Sequence, residues 1–147
     1  MPASDNTNER AVKKVDKPRS QKTILIVDDE AAVCHSLKQI VEGQNYKALT
    51  VSSGQKAISF ARIHQVDLVI LDVRMPGMDG FAVLKHLKDE PATAEIPVVM
   101  CSVVTDTDEI RKAGQLGASG YIVKPFNAET VEAKVERLLS PLHRPLD

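Results

Sequence analysis

From Thr23 to about residue 140 the chain repeats one texture five times: a short unbroken apolar run, then a stretch with apolar residues at helical spacing. The runs are Ile24-Leu25-Ile26-Val27, Ala48 to Val51, Leu68-Val69-Ile70-Leu71, Pro97-Val98-Val99-Met100-Cys101 and Tyr121-Ile122-Val123. Continuous runs of this length predict strands covered on both faces, as in a parallel sheet. Between them, Ala31, Val33, Cys34, Leu37, Ile40 and Val41 predict a helix closed at Gly43, where glycine would serve as a C-cap. Ser52 with Gln55 reads as a capping box for a second helix through Ala57, Ile58, Ala61 and Ile63. Met75-Pro76-Gly77-Met78-Asp79-Gly80 is turn chemistry ahead of a helix through Phe81, Val83, Leu84 and Leu87. Asp106 with Glu109 predicts another capping box for a helix ending near Gly117, and Asn127 caps a last one through Val131, Val135, Leu138 and Leu139. Strands alternating with helices pair in parallel through right-handed crossovers, so the fold class is α/β, an open five-stranded parallel sheet wound with helices on both faces.

Composition excludes several functions. At 43% apolar and 27% charged residues the chain can bury a core. A net charge of -1 and only three Phe and two Tyr argue against nucleic acid as a partner of this chain. Cys34 and Cys101 cannot form a disulfide framework, and no Cys/His spacing suits zinc. No apolar run is long enough to span a membrane and no secretory leader is visible, so a cytoplasmic location is expected. Charge is unevenly spread: residues 1–22 hold six bases and three acids, the remainder 13 bases and 17 acids. Residues 1–21 are expected to be a disordered basic arm, 22–140 one folded domain, and 141–147 a tail too short for a second domain.

In open α/β sheets ligands bind beyond the carboxyl ends of the strands. The first strand runs into Asp28, Asp29 and Glu30, the third into Asp72, the fourth into Ser102 and the fifth into Lys124-Pro125. Singly, each has an ordinary explanation: acids favour a helix N-terminus, and aspartate forms turns. Gathered on one rim, carboxylates repel unless protonated or bound to a cation. Mg²⁺ chemistry suits the set, since that ion takes carboxylate and phosphoryl oxygens, and a carboxylate beside it can act as a nucleophile toward phosphorus. No phosphate-cradling glycine loop and no G-x-S-x-G elbow is present, which disfavours a nucleotide hydrolase and a serine hydrolase.

Four separated motifs now stand in order: Ile24-Leu25-Ile26-Val27-Asp28-Asp29-Glu30; Asp67 to Gly80 around Asp72; Ser102; and Gly117-Ala118-Ser119-Gly120-Tyr121-Ile122-Val123-Lys124-Pro125-Phe126. Over about residues 22–140 the chain resembles the receiver domain of bacterial two-component response regulators. The resemblance implies a flavodoxin-like (βα)5 fold with strand order 2-1-3-4-5. It implies that Asp72 is the phosphoacceptor, taking a phosphoryl group from a histidine kinase or phosphotransfer protein. It further implies that Asp29 and Asp72 ligate Mg²⁺ (Mn²⁺ substituting), that Asp28 holds its water shell, and that the Arg74 backbone carbonyl completes the site. Lys124 would pair with the phosphoryl oxygens, through a cis bond to Pro125. Ser102 would turn toward the phosphoryl group and Tyr121 would swing inward behind it.

Departures from the family pattern sharpen this. The position after Ser102, commonly small in relatives, is Val103, a branched residue expected to narrow access to the acyl phosphate. Ser119-Gly120 replaces the acidic pair that often precedes the switch aromatic in DNA-binding relatives, which leaves monomer and phosphorylation-dependent dimer both open. Arg74 is expected to project over the site and tune water access, and Met75 and Met78 to pack a loop beside it. His35, His64, His86 and His143 read as surface residues and the two cysteines as core thiols. The expected activity is a phosphorylation-activated switch that acts on an unidentified downstream protein, with no independent output enzyme. The alternative is the receiver portion of a larger regulator whose DNA-binding or enzymatic domain is absent from this chain.

Overall fold

The computed structural model describes residues 17–140. The five apolar runs become five parallel strands: β1 (Thr23–Val27), β2 (Lys47–Val51), β3 (Leu68–Asp72), β4 (Val98–Ser102) and β5 (Gly120–Val123), in the order β2-β1-β3-β4-β5. Each strand is followed by a helix: α1 (Ala31–Gly43), α2 (Gly54–Ile63), α3 (Gly80–Asp89), α4 (Thr107–Gln115) and α5 (Ala128–Leu139). The expected architecture and strand order are both present. Every residue of β3 and β4 is buried, whereas β2, at one edge of the sheet, buries only Ala48.

Alternation along the strands divides the core in two. Leu25, Val27, Val69, Leu71, Val98 and Met100 face α2 and α3 through Ala57, Ile58, Ala61, Val83, Leu84 and Leu87, and receive Ala113 from α4. Ile24, Ile26, Leu68, Ile70, Val99 and Ile122 face α1 and α5 through Leu37, Val41, Val131, Val135 and Leu139. Burying each large aliphatic side chain stabilises the fold by about 1.5–3 kcal/mol. Because this apolar mass lies behind the strands, their carboxyl ends are held rigidly while their terminal side chains stay polar.

Several local details differ from the sequence reading. Ser53, not Ser52, caps α2, its hydroxyl accepting from the Lys56 amide at 3.2 Å. Gly43 lies within α1, and the left-handed turn beyond that helix falls on Asn45 (φ 74°), a residue that tolerates the conformation. Asp106 caps α4 by accepting from the Asp108 amide at 2.9 Å, but Glu109 does not close a box; it is engaged elsewhere. The arm boundary drawn at residue 22 falls inside a described segment. Arg19–Gln21 forms a short 3-10 turn, Arg19 binds Glu136 of α5, Lys17 pairs with Asp67 at 3.1 Å, and Lys22 Nζ donates to the Leu139 carbonyl at 2.6 Å. These contacts order the last residues of the expected arm against α5 and the start of β3; residues 1–16 and the tail 141–147 lie outside the described residues.

Asn127 caps α5 as expected, accepting from the Thr130 amide at 2.8 Å. Asn127→Ala should cost about 1 kcal/mol in chemical denaturation, and Asn127→Ser should recover most of it. Among the described residues no helix is long and apolar enough to cross a membrane.

Candidate functional site

Four strand ends meet at one rim. Asp28 directly follows β1, Asp72 ends β3, Ser102 ends β4 and Lys124 directly follows β5. Backbone bonds tie these ends together: Val73 N to Cys101 O at 3.1 Å, and Lys124 N to Ser102 O at 2.8 Å. The side chains of Asp28 and Asp72 are 1% and 4% exposed, while Asp29 lies open to solvent. One carboxylate oxygen from each of Asp28, Asp29 and Asp72 falls within 4.8 Å of the others.

Lys124, 11% exposed, reaches across this group. Its ammonium donates to Asp28 Oδ2 at 2.9 Å and Asp72 Oδ1 at 3.2 Å, and Glu30 lies 3.7 Å away. The Lys124–Pro125 bond is cis, as the resemblance implied. Asp28 Oδ1 accepts from the Glu30 amide at 2.9 Å, which fixes the entry into α1, and Asp72 Oδ1 accepts a longer 3.4 Å bond from the Arg74 amide. Burial, then repulsion from Asp28, pushes the Asp72 carboxyl up to about 6 against the opposing pull of Lys124 and the Arg74 amide. Burial pulls the Lys124 ammonium down, but its bond to Asp28 and the charges of Asp72 and Asp28 outweigh that, and it stays above the ordinary lysine range. A single ammonium between two buried carboxylates leaves an uncompensated negative charge. That charge, with an all-oxygen donor set, suits a hard divalent cation.

The remaining predicted residues lie around this centre. Ser102 is buried, its Oγ accepting from the Val104 amide at 3.2 Å. Tyr121 is half-buried with its hydroxyl 3.2 Å from the Val104 carbonyl and 3.2 Å from Glu109 Oε1. Val103 projects into solvent. Met75 is buried and Met78 packs against the same core, while Cys34 and Cys101 are buried free thiols, the second pushed up to about 12 by burial. His35, His64 and His86 are exposed; His143 lies outside the described residues. The Arg74 side chain, expected over the phosphoacceptor, is bound to Glu109 Oε2 at 2.6 Å. Glu109 is the residue that sequence reasoning missed, because its spacing from Asp106 offered a sufficient local role and nothing nearby in sequence names its two distant partners.

The sequence profile described as the response regulator receiver domain matches residues 24–136, most of the chain. The chain belongs to the response regulator receiver domain family. Among curated relatives, this receiver is 39% identical over 119 residues to response regulator GtcR of Aneurinibacillus migulanus, covering 80% of this chain and 48% of that protein. It is 32% identical over 126 residues to the ycf27 protein of Cyanophora paradoxa, covering 86% of this chain and 52% of the other. The receiver thus spans about half the length of these curated relatives. Among solved structures, it is similar to the chemotaxis protein CheY4 of Vibrio cholerae (TM-score 0.77, 29% identity, covering 80% and 98% of the two chains). It is also similar to the signal receiver domain of a histidine kinase from Syntrophus aciditrophicus (TM-score 0.75, 34% identity, covering 86% and 96%).

Proposed function

We propose that this receiver accepts a phosphoryl group on Asp72 from the phosphohistidine of a histidine kinase or phosphotransfer protein, and that the added charge switches a protein-binding surface. The observation that carries this reading is Lys124 spanning the buried Asp28 and Asp72, with Asp29 completing a carboxylate group within 4.8 Å. Both polar contacts of Asp72 fall on Oδ1, which leaves Oδ2 to attack phosphorus. The new O–P bond forms as the donor's N–P bond breaks; the departing imidazole nitrogen keeps the electron pair and takes a proton from solvent. Lys124 shifts from the Asp72 carboxylate to the transferred phosphoryl oxygens and Ser102 donates its hydroxyl proton to them, two contacts that favour the phosphorylated state. Asp28, Asp29, Asp72 and the Arg74 carbonyl would hold Mg²⁺ or Mn²⁺. When bound, the ion supplies positive charge against the developing negative charge of the phosphoryl oxygens.

Tyr121 and the surface formed by α4, β5 and α5 read out the change, and the partner supplies the output. A second reading places the same switch in a longer regulator, since the curated relatives are about twice the matched length. Gene sequence beyond Asp147 distinguishes the two.

Lys124→Ala tests the relay. It should still incorporate some phosphoryl from acetyl phosphate with Mg²⁺, at a rate lower by about 10-fold or more. Amide NMR shifts in α4 and β5 should then fail to follow the label. A normal shift pattern in labelled Lys124→Ala would remove that residue from the relay. Chelating the metal should abolish incorporation in the unsubstituted protein.

A further inference from the structure

Helix α4 is attached unlike the others. It buries one side chain, Ala113, whereas α2 and α3 each bury four residues and α1 and α5 three. Polar contacts hold it as well, on one side and one turn apart. Glu109 binds the Arg74 guanidinium at 2.6 Å and accepts from the Tyr121 hydroxyl at 3.2 Å, and the Lys112 ammonium lies 4.5 Å from the Phe81 ring centre. Few apolar contacts and a polar hold are the marks of an element that moves before the core does.

Arg74 joins this helix to the phosphoacceptor. Its amide donates to Asp72 Oδ1 and its guanidinium to Glu109, so one residue touches both. The two partners are unequal. The Arg74 side chain is 61% exposed and free to redirect, while Glu109 is only 13% exposed. Resting on the phosphoacceptor assignment above, we infer that Glu109 is a positioning residue that holds α4 and Tyr121 in the unphosphorylated arrangement, and that the Asp72 phosphoryl group releases them by taking the Arg74 guanidinium from it.

The competition follows from charge. A phosphoryl group brings nearly two negative charges and three acceptor oxygens, a better bidentate partner for guanidinium than one carboxylate. When Arg74 turns away, Glu109 is left poorly hydrated without its cation, an unfavourable state relieved by moving outward with α4. The Tyr121 hydroxyl has one proton for two acceptors. Once Glu109 leaves, the Val104 carbonyl is the acceptor that remains, which ties Tyr121 to the loop that follows Ser102. An ion pair with one exposed end is weak, as a reversible switch requires.

Hydrogen exchange of residues 107–115 in the full chain tests this, with Mg²⁺ and with or without beryllofluoride as the phosphoryl mimic. In the unsubstituted protein the anion should raise exchange by about fivefold. Glu109→Gln and Arg74→Met should each reach that raised level without the anion and respond little to it, and the double variant should add nothing further. Lys112→Met loosens α4 without touching Arg74, so it should raise the baseline and keep the anion response. Exchange in Glu109→Gln that matches the unsubstituted protein in both conditions, or single effects that simply add, would overturn the latch. Labelling by acetyl phosphate is read in parallel: unsubstituted protein that takes no label overturns the receiver reading and the latch with it, whereas normal labelling with unmoved α4 exchange in Glu109→Gln overturns the latch alone.

Discussion

Asp72→Asn is expected to reduce phosphoryl incorporation to background and, in the same protein, to raise stability. The first effect follows because the amide cannot supply the attacking carboxylate oxygen. The second follows because Asp72 is buried beside Asp28, and its carboxyl is pushed up to about 6 by burial and by that neighbour. A carboxyl whose folded pKa lies above its unfolded value costs stability above the folded pKa, and the cost disappears below the unfolded one. The asparagine variant should therefore gain about 1 kcal/mol at neutral pH in metal-free buffer, discounted for solvent screening at the open rim, and the gain should shrink as pH falls from about 6 toward 4. Urea denaturation of both proteins across that range measures it. A less stable Asp72→Asn protein would mean that Lys124 more than offsets the crowding of charge at the rim.

Gly80→Ala is the substitution with the largest expected structural cost. A β-carbon there would lie 2.3 Å from the Asp72 carbonyl oxygen and 2.7 Å from the Val73 α-carbon. Both are backbone atoms of the segment that presents Asp72, so no side chain can rotate to make room. The Gly80 amide also donates to the Val73 carbonyl at 2.7 Å, which fixes the start of α3 against the end of β3. The variant should lose about 3 kcal/mol, and in the fraction that folds Asp72 should be displaced and labelling slowed. Gly43→Ala is the control. Nothing lies within 4 Å of a β-carbon there, and the residue sits in α1, so stability should hold or rise by about 0.5 kcal/mol.

Much of this fold was legible because buried parallel strands write themselves as unbroken apolar runs. Leu68 to Leu71 could hardly have been anything else, and all of β3 is buried. The rim was legible for a related reason: where a run stops at Asp72 or Lys124, the strand end carries the polar side chain. Caps shifted by a residue, as from Ser52 to Ser53, because adjacent serines compete for one position that sequence alone does not rank. Glu109 escaped because a carboxylate three residues after Asp106 has a plausible local use, while its real partners, Arg74 and Tyr121, lie 35 and 12 residues away along the chain. Long-range polar pairing leaves no periodic trace, so the tie between Arg74, beside Asp72, and α4 emerges only in three dimensions.

If Asp72 is the residue phosphorylated, site-mapped mass spectrometry after incubation with acetyl phosphate will locate the label there. With Mg²⁺ present, the protein should gain the mass of one phosphoryl group, carried by the peptide containing Asp72 and discharged by hydroxylamine, as an acyl phosphate requires. With the metal chelated, the gain should vanish. A phosphoryl group mapped to any other residue, or undiminished labelling of Asp72→Asn, would contradict the account.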